Sequence, residues 1–141
     1  MARDREREAL IADVDLFRDL SRSQLKRLAS ASREVSHPVG KAVATEGQGA
    51  HAFHFILEGE ATVTKDGRVL RTLGPGDYFG EISMIDGRPR SATVSAVAPL
   101  QVLAIPHLDF EQVLDEDPGF ARHLLKTLCA RLREAEARSS G

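Results

Sequence analysis

Residues 35–105 are divided into short apolar runs by glycine, proline and aspartate, and this division is what most constrains the fold. The candidate strands span residues 39–45, 53–57, 61–65, 69–73, 91–97 and 100–105. Short runs at this spacing are typical of an antiparallel sandwich or barrel. The clearest turn is Lys65-Asp66-Gly67-Arg68. Because Asp-Gly tolerates positive φ angles, this sequence predicts a type I′ hairpin between two of the strands.

Helical patterns flank the candidate strands on both sides. Apolar residues at helical spacing precede the strands, and either Ser21 or Ser23 is placed to cap a helix there. A second helical region follows the strands and breaks at Asp117-Pro118-Gly119. After this break the last helix carries an apolar stripe: Phe120, Leu124, Leu125, Leu128 and Leu132. The helical period of the stripe predicts that it serves mainly in packing.

Length and composition fit one ordinary globular domain. The chain has 141 residues, of which 42% are hydrophobic and 28% charged, so it is long enough to bury a core without metals or disulfides. We expect a single domain over residues 1–141, with N-terminal helices at 10–34, a β roll at 35–105 and C-terminal helices at 106–138. The single cysteine, Cys129, excludes an internal disulfide and suits a reducing compartment.

The charge pattern argues against nucleic acid and membrane partners. The formal net charge is −2, so no global basic field favours DNA. No apolar run approaches the roughly 18 residues that a bilayer-spanning helix needs. The first residues alternate arginine with acidic side chains and lack the apolar core of a signal peptide. These features predict a soluble, cytoplasmic protein without a membrane segment.

One stretch, residues 79–96, has the residue types of a ligand site. It places the carboxylate of Glu81 nine residues before the guanidinium of Arg90. Gly80 frees the backbone for a tight turn whose N–H groups attract an anion, and a guanidinium beyond such a turn can grip a phosphate with two hydrogen bonds. Glu81 would repel that phosphate unless it faced a hydroxyl donor. A ligand that carries both a phosphodiester and a ribose hydroxyl satisfies all of these features.

This stretch resembles the phosphate-binding cassette of cyclic nucleotide-binding domains. The family includes regulatory subunits of cyclic AMP-dependent kinase, cyclic nucleotide-gated channels and catabolite-activator-type regulators. The family pattern F-G-E-(apolar)-x-(apolar)-(apolar)-x-x-x-P-R-(S/T/A)-A-T-V is matched without a gap from Phe79 to Val94. Residues 55–60 and 73–80 resemble the segments that precede the cassette in the family, so the resemblance covers nearly the whole chain. It implies an antiparallel β jelly roll with an N-terminal helical bundle and a C-terminal lid helix.

The resemblance also implies a set of ligand-binding residues within the cassette, residues 79–92. It assigns the cyclic phosphate to Arg90 and the ribose 2′-hydroxyl to Glu81, although Arg90 is also placed to pair with Glu81 alone. Residues implied to line the cradle are Gly80, Glu81, Ile82, Ser83, Arg90, Ser91 and Ala92. Ser91 either contacts the ligand or is simply a small residue.

In the family, one residue of the last helix covers the purine base. The candidates for this role in the chain are Leu128, Arg131 and Leu132. Their spacing along the helix does not choose among them. The assignment of the base-covering residue therefore stays open at this point.

Histidines in one strand suggest a rival, a cupin-like metalloenzyme on a similar β roll. His51 and His54 are three residues apart, so on a strand they point to opposite faces and cannot share a metal. His54 and Glu58 share a face, but two ligands are fewer than the usual three or four. His107 lies far along the chain without a companion. We therefore predict no metal, no cofactor and no catalytic residues.

The resemblance implies a domain that binds cyclic AMP or cyclic GMP without converting it. Ligand binding would close the C-terminal helix over the base, and a protein effector would read the helix position. About ten residues follow Leu132, too few for a helix-turn-helix, so we expect no direct DNA binding. The effector then acts in trans or belongs to a longer protein from which this domain comes. An alternative is a protein-interaction module of the same fold that binds no cyclic nucleotide. The choice of nucleotide and the oligomeric state stay open.

Overall fold

The protein was analysed as a computed structural model, which describes residues 2–44, 47, 52–80 and 92–140. Four α-helices occur in this part of the chain: α1 (Ala2–Ala12), α2 (Arg22–Ala31), α3 (His107–Glu116) and α4 (Pro118–Ser140). A 3-10 turn, Asp15–Phe17, lies between α1 and α2. The strands are β1 (Arg33–His37), β2 (Ala42–Ala44), β3 (Ala52–Glu58), β4 (Ala61–Lys65), β5 (Arg68–Leu73), β6 (Tyr78–Phe79), β7 (Thr93–Ala96) and β8 (Leu100–Pro106).

The strands form two antiparallel sheets of four strands each. Their orders are β1-β8-β3-β6 and β2-β7-β4-β5, so most neighbours in a sheet are not consecutive in sequence. Apolar residues from both sheets meet in one cluster, the inter-sheet core, which is dominated by small and β-branched side chains. Its buried members are Ala44, Ile56, Ala61, Val63, Leu73, Phe79, Val94, Ala96, Leu100 and Val102. The prediction of a mainly β, antiparallel fold with flanking helices is confirmed.

Helices cover the other face of the sheet β1-β8-β3-β6. Successive strand residues point to opposite faces, so Val102 joins the inter-sheet core while Leu103 joins a second cluster beneath the helices. In this helix-side core, the ring of Phe17 stacks on Phe120 at 5.4 Å and that of Phe53 stacks on Phe110 at 5.1 Å. Further edge contacts join the two pairs of rings. The aromatic rings therefore attach the N- and C-terminal helices to the same sheet.

Two local sequence signals produce the geometry expected of them. Asp66 and Gly67 have φ angles of 51° and 78°, as the type I′ turn between β4 and β5 requires. Ser21 caps α2: its side chain accepts a hydrogen bond from the backbone N–H of Gln24, whose side chain accepts one from the backbone N–H of Ser21. The choice between Ser21 and Ser23 is thus resolved in favour of Ser21, and the predicted hairpin is confirmed.

The first strands begin and end differently from the prediction. β1 starts at Arg33, two residues before the predicted start of β structure, and its first two residues are exposed. They pair with β8 through the backbone, which a side-chain pattern does not reveal. The described part of the predicted strand 39–45 is extended only over β2, because Gly40 has a φ of 88° and makes a turn there. Thr45 lies outside the described residues.

Candidate functional site

The site predicted from the sequence begins where β6 ends. The ring of Phe79 faces the inter-sheet core, is 3% exposed and stacks on the imidazole of His54 at 4.7 Å. The next residue, Gly80, has a φ of 97°, a left-handed conformation that favours glycine. The backbone therefore adopts a left-handed conformation directly after a residue that is fixed in the core. A positive φ at Gly80 fits the turn that the sequence predicts at the start of the cassette, but the residues that would complete this turn lie outside the described residues.

The other end of the cassette is anchored in the same core. Ala92 is half-buried against the inter-sheet core, and Val94 of β7 is buried within it. β7 is held on both sides, by β2 and by β4. The two described flanks, Gly80 and Ala92, thus leave from fixed strands. The predicted ligand residues Glu81, Ile82, Ser83, Arg90 and Ser91 lie outside the described residues, so their roles stay predictions.

Helix α4 has one half that is well anchored. The predicted break before it is confirmed: the Asp117 carboxylate accepts a hydrogen bond of 3.0 Å from the backbone N–H of Phe120, and Pro118 is the first helical residue. Phe120 and Leu124 are fully buried in the helix-side core. His123 Nε2 lies 3.1 Å from a carboxylate oxygen of Asp15 in the 3-10 turn. The first two turns of α4 are thereby tied to the N-terminal helical region.

The three candidates for the base-covering role differ in their contacts and in their exposure. Leu128 is half-buried against the helix-side core, and the guanidinium carbon of Arg131 lies 4.9 Å from the ring centroid of Tyr78. Leu132, in contrast, is 60% exposed, as is Leu125 at 59%. Of the stripe predicted to serve mainly in packing, Phe120 and Leu124 are buried and Leu128 is half-buried, whereas Leu125 and Leu132 are not covered. Leu125 directly follows Leu124 and so lies on a neighbouring side of the helix, whereas Leu132 lies one turn beyond Leu128 and is exposed because of its position along the helix.

Tyr78 is the residue near the site that sequence reasoning missed. It directly precedes Phe79, and the alternation of a strand sends its ring to the helix side, where it contacts Phe53 at 5.2 Å. Its contact with Arg131 joins residues 53 positions apart in the chain, so local patterns do not reveal it. The available signal was the pair of adjacent aromatic residues before Gly80, one for each face of the sheet.

The histidines of the rival metal site do not assemble with other ligands in the described residues. His54 is buried with its ring on Phe79, whereas Glu58 is exposed beyond a register shift in β3. Residues 2–44, 52–80 and 92–140 contain no group of three or more His, Cys, Asp or Glu side chains arranged to hold a metal ion. His51 lies outside the described residues, and Cys129 is exposed on α4.

No helix in the described part of the chain has the length and apolarity to cross a bilayer.

Comparisons of the sequence with a family profile and with individual relatives identify the family of this chain. The profile of the cyclic nucleotide-binding domain matches residues 34–117. A cyclic nucleotide-gated potassium channel of Mesorhizobium japonicum is 34% identical over 122 residues, which are 86% of this chain and 34% of the channel. A cyclic AMP-dependent protein kinase regulatory subunit of Yarrowia lipolytica is 38% identical over 110 residues, 76% of this chain and 29% of that protein. The chain thus spans about a third of the length of these relatives.

A solved structure extends the likeness to the whole fold. The sensor domain of the transcriptional regulator DNR from Pseudomonas aeruginosa superposes with a TM-score of 0.83 at 28% identity, covering 97% of this chain and 95% of that domain. The relatives are regulatory subunits, channels and transcription regulators, a family of non-enzymatic regulatory domains. By its sequence profile and its fold, the chain belongs to the cyclic nucleotide-binding domain family.

Proposed function

We propose that this protein is a sensor module that binds cyclic AMP or cyclic GMP at residues 79–92 and signals through movement of α4. The observation that carries the proposal is the ungapped cassette pattern from Phe79 to Val94, whose described flanks both leave from the inter-sheet core. Because both flanks are fixed, binding at the cassette requires no further ordering of the strands on either side of it. Such preorganisation lowers the entropy lost when a ligand binds.

Two charged residues of the cassette supply the recognition chemistry. Arg90 pairs with the negatively charged cyclic phosphate, which a planar guanidinium binds through two parallel hydrogen bonds. Glu81 accepts a hydrogen bond from the ribose 2′-hydroxyl, a neutral donor that a carboxylate can approach without repulsion. The remaining predicted cradle residues shape the pocket and offer backbone N–H groups to the phosphate: Gly80, Ile82, Ser83, Ser91 and Ala92. No step of bond making or breaking is needed, and no cofactor or metal takes part.

The division of α4 into an anchored and an exposed part supports its role as the signalling element. Phe120 and Leu124 fix the start of the helix, whereas most side chains beyond residue 128 are exposed. A change at the cassette therefore acts on a helix that is fixed at one end. The nucleotide shifts the population of helix positions only by its differential affinity for them. The effector that reads this shift is a partner protein in trans or another part of a longer protein, and the module itself binds no DNA.

Calorimetric titration with cyclic AMP and with cyclic GMP tests the proposal. We expect saturable heat with at least one nucleotide, and Arg90→Ala to lose roughly 2–5 kcal/mol of binding free energy, as when one partner of a buried charge pair is removed. Arg133→Ala, at an exposed position of α4, is the matched control and should bind like the wild type. No binding of either nucleotide by the folded wild type would overturn the proposal and favour the protein-interaction alternative. Equal affinity of Arg90→Ala and wild type would remove Arg90 from the site.

A further inference from the structure

One side-chain contact joins the middle of α4 to the strand that leads into the cassette. The guanidinium carbon of Arg131 lies 4.9 Å from the centroid of the Tyr78 ring, within the distance at which a cation–π interaction is effective. Both residues are half-buried, so the contact is partly screened from water. Tyr78 directly precedes Phe79, the first residue of the cassette. The contact therefore lies beside the proposed nucleotide site without belonging to the cassette.

The residues of α4 that face the sheet lie in one row. Phe120, Leu124, Leu128 and Arg131 follow one another at intervals of four, four and three residues, which places them on one face of the helix. The first two are fully buried and the last two are half-buried. Burial thus decreases along the row, and the Arg131–Tyr78 contact is the last described anchor on it. Beyond Arg131, every described residue except Ala135 is exposed.

Tyr78 is also part of the helix-side core. Its ring contacts Phe53 at 5.2 Å, and Phe53 stacks on Phe110, which contacts Phe120 at 5.5 Å. The ring that receives Arg131 is therefore continuous with the rings that anchor the start of α4. This continuity limits the positions that the Tyr78 ring can take. A ring of fixed orientation presents a fixed face to the guanidinium.

We propose that Tyr78 sets the nucleotide affinity from outside the cassette, by holding Arg131 and with it the outer part of α4 against the end of β6. The pair Tyr78 and Arg131 is named the clasp. This inference rests on the proposed function, since it requires that α4 closes over a nucleotide bound at residues 79–92. The clasp fixes α4 beside the start of the cassette, which is the position from which it can cover the base. Tyr78 is accordingly a positioning residue, and it acts through Arg131.

The size of the expected change in nucleotide affinity follows from thermodynamic linkage. A contact that stabilises only the closed position of α4 raises the affinity of any ligand that needs this position. A cation–π contact at a partly exposed site changes an equilibrium about two- to fivefold. Loss of the ring face at residue 78 should therefore weaken nucleotide binding by that factor. The effect should be seen with the intact cassette and without loss of Arg131.

Four variants of the full chain test the clasp by calorimetric titration with the nucleotide that the wild type binds. Tyr78→Leu removes the aromatic face and should weaken binding about two- to fivefold. Tyr78→Phe keeps the face and should bind like the wild type. Arg131→Met keeps much of the side-chain stem without the charge and should resemble Tyr78→Leu. The double variant Tyr78→Leu with Arg131→Met should be no weaker than either single variant, because the two residues act through one contact.

The outcomes separate this inference from the proposed function. If the wild type binds neither nucleotide, the proposed function fails. If it binds and Tyr78→Leu binds as tightly or more tightly, the clasp does not favour the closed helix and the inference is overturned. An equal loss in Tyr78→Phe would assign the effect to the hydroxyl and also contradict a cation–π clasp. Multiplying losses in the double variant would mean that Arg131 and Tyr78 act separately. Hydrogen exchange without added nucleotide gives a second reading: faster exchange at residues 125–136 in Tyr78→Leu, but not in Tyr78→Phe, supports the clasp.

Discussion

The two cores on either side of the sheet β1-β8-β3-β6 are built from different kinds of side chain. The helix-side core contains four phenylalanine rings in mutual contact, contributed by helices as well as by β3. The inter-sheet core relies on alanine, valine and leucine, with Phe79 as its one buried phenylalanine among the residues that the structure describes. Large rings fill the irregular space between helices and a sheet, whereas small side chains let two sheets approach closely.

This difference predicts opposite sensitivities. The helix-side core should be damaged most by removing atoms, since each ring contacts several others. The inter-sheet core should be damaged most by adding atoms where backbone segments approach each other. The two cores also serve different parts of the proposed mechanism, because the helix-side core anchors α4 and the inter-sheet core anchors the flanks of the cassette.

Removing the Phe120 ring should have the largest effect. Phe120→Ala deletes a ring that contacts both Phe17 and Phe110 and is 2% exposed, so we expect a loss of about 3–5 kcal/mol in the free energy of unfolding. Leu132→Ala on the same helix is the control, and its exposed side chain should change stability by less than about 0.5 kcal/mol. Urea unfolding measures both. Similar losses for the two variants would contradict the division of α4 into anchored and exposed parts.

Adding one methyl group should nearly match that effect at Gly59, where the chain passes from β3 of one sheet to β4 of the other. Gly59 has a φ of 97°, and a Cβ there would lie 2.2 Å from the carbonyl oxygen of Pro99. Backbone strain and overpacking together should make Gly59→Ala less stable by about 2–5 kcal/mol. Gly40 is the matched control because its φ of 88° is similar but no atom lies within 4 Å of its Cβ position. Equal unfolding free energies for the two alanine variants would show that the close approach to the Pro99 carbonyl does not destabilise Gly59→Ala.

Glu81 tests whether the cassette reads a ribose hydroxyl. Glu81→Ala should weaken binding of the natural ribose nucleotide by about 1.5–3 kcal/mol, the range for a hydrogen bond to a charged group. The same variant should change the affinity for the 2′-deoxy analogue much less, since that ligand lacks the donor. Glu58→Ala, at an exposed position of β3, serves as the control. Equal losses for the ribose and deoxyribose ligands would refute the assigned role.

The features predicted correctly from the sequence are those that depend on residues close together in the chain. Asp66-Gly67 fixes its turn through backbone preferences of two residues, and Ser21 caps α2 through a partner three residues away. The start of β1 was missed because exposed Arg33 and Glu34 are held by backbone pairing with β8, whose paired residues lie 71 and 69 positions later in the chain.

Contacts between residues that are far apart in the chain also limited the prediction of the site. The positive φ of Gly80 follows from a motif, but the Arg131–Tyr78 contact depends on how α4 lies across the sheet. For the same reason the helical period of the stripe did not reveal that Leu125 and Leu132 are exposed. Periodicity shows which residues share a face of a helix, and only the packing decides which faces are covered.

A titration of stability with pH should give the smallest effect, because it acts on an edge strand outside both cores. Partial burial of His37 on β1, and secondarily the nearby positive charge of Lys41, lower the pKa of its imidazole below the ordinary value of 6.5. The unfolded chain therefore takes up a proton more readily than the folded one, so stability should fall slightly as the pH drops from above 6.5 through the lowered pKa. His37→Gln should flatten this part of the profile while leaving stability above pH 7 nearly unchanged. Urea unfolding at several pH values gives, for the wild type and for His37→Gln, the slope of the unfolding free energy against pH. An unchanged slope in His37→Gln would assign the acid sensitivity to other groups, and a steeper one would mean that protonated His37 stabilises the fold.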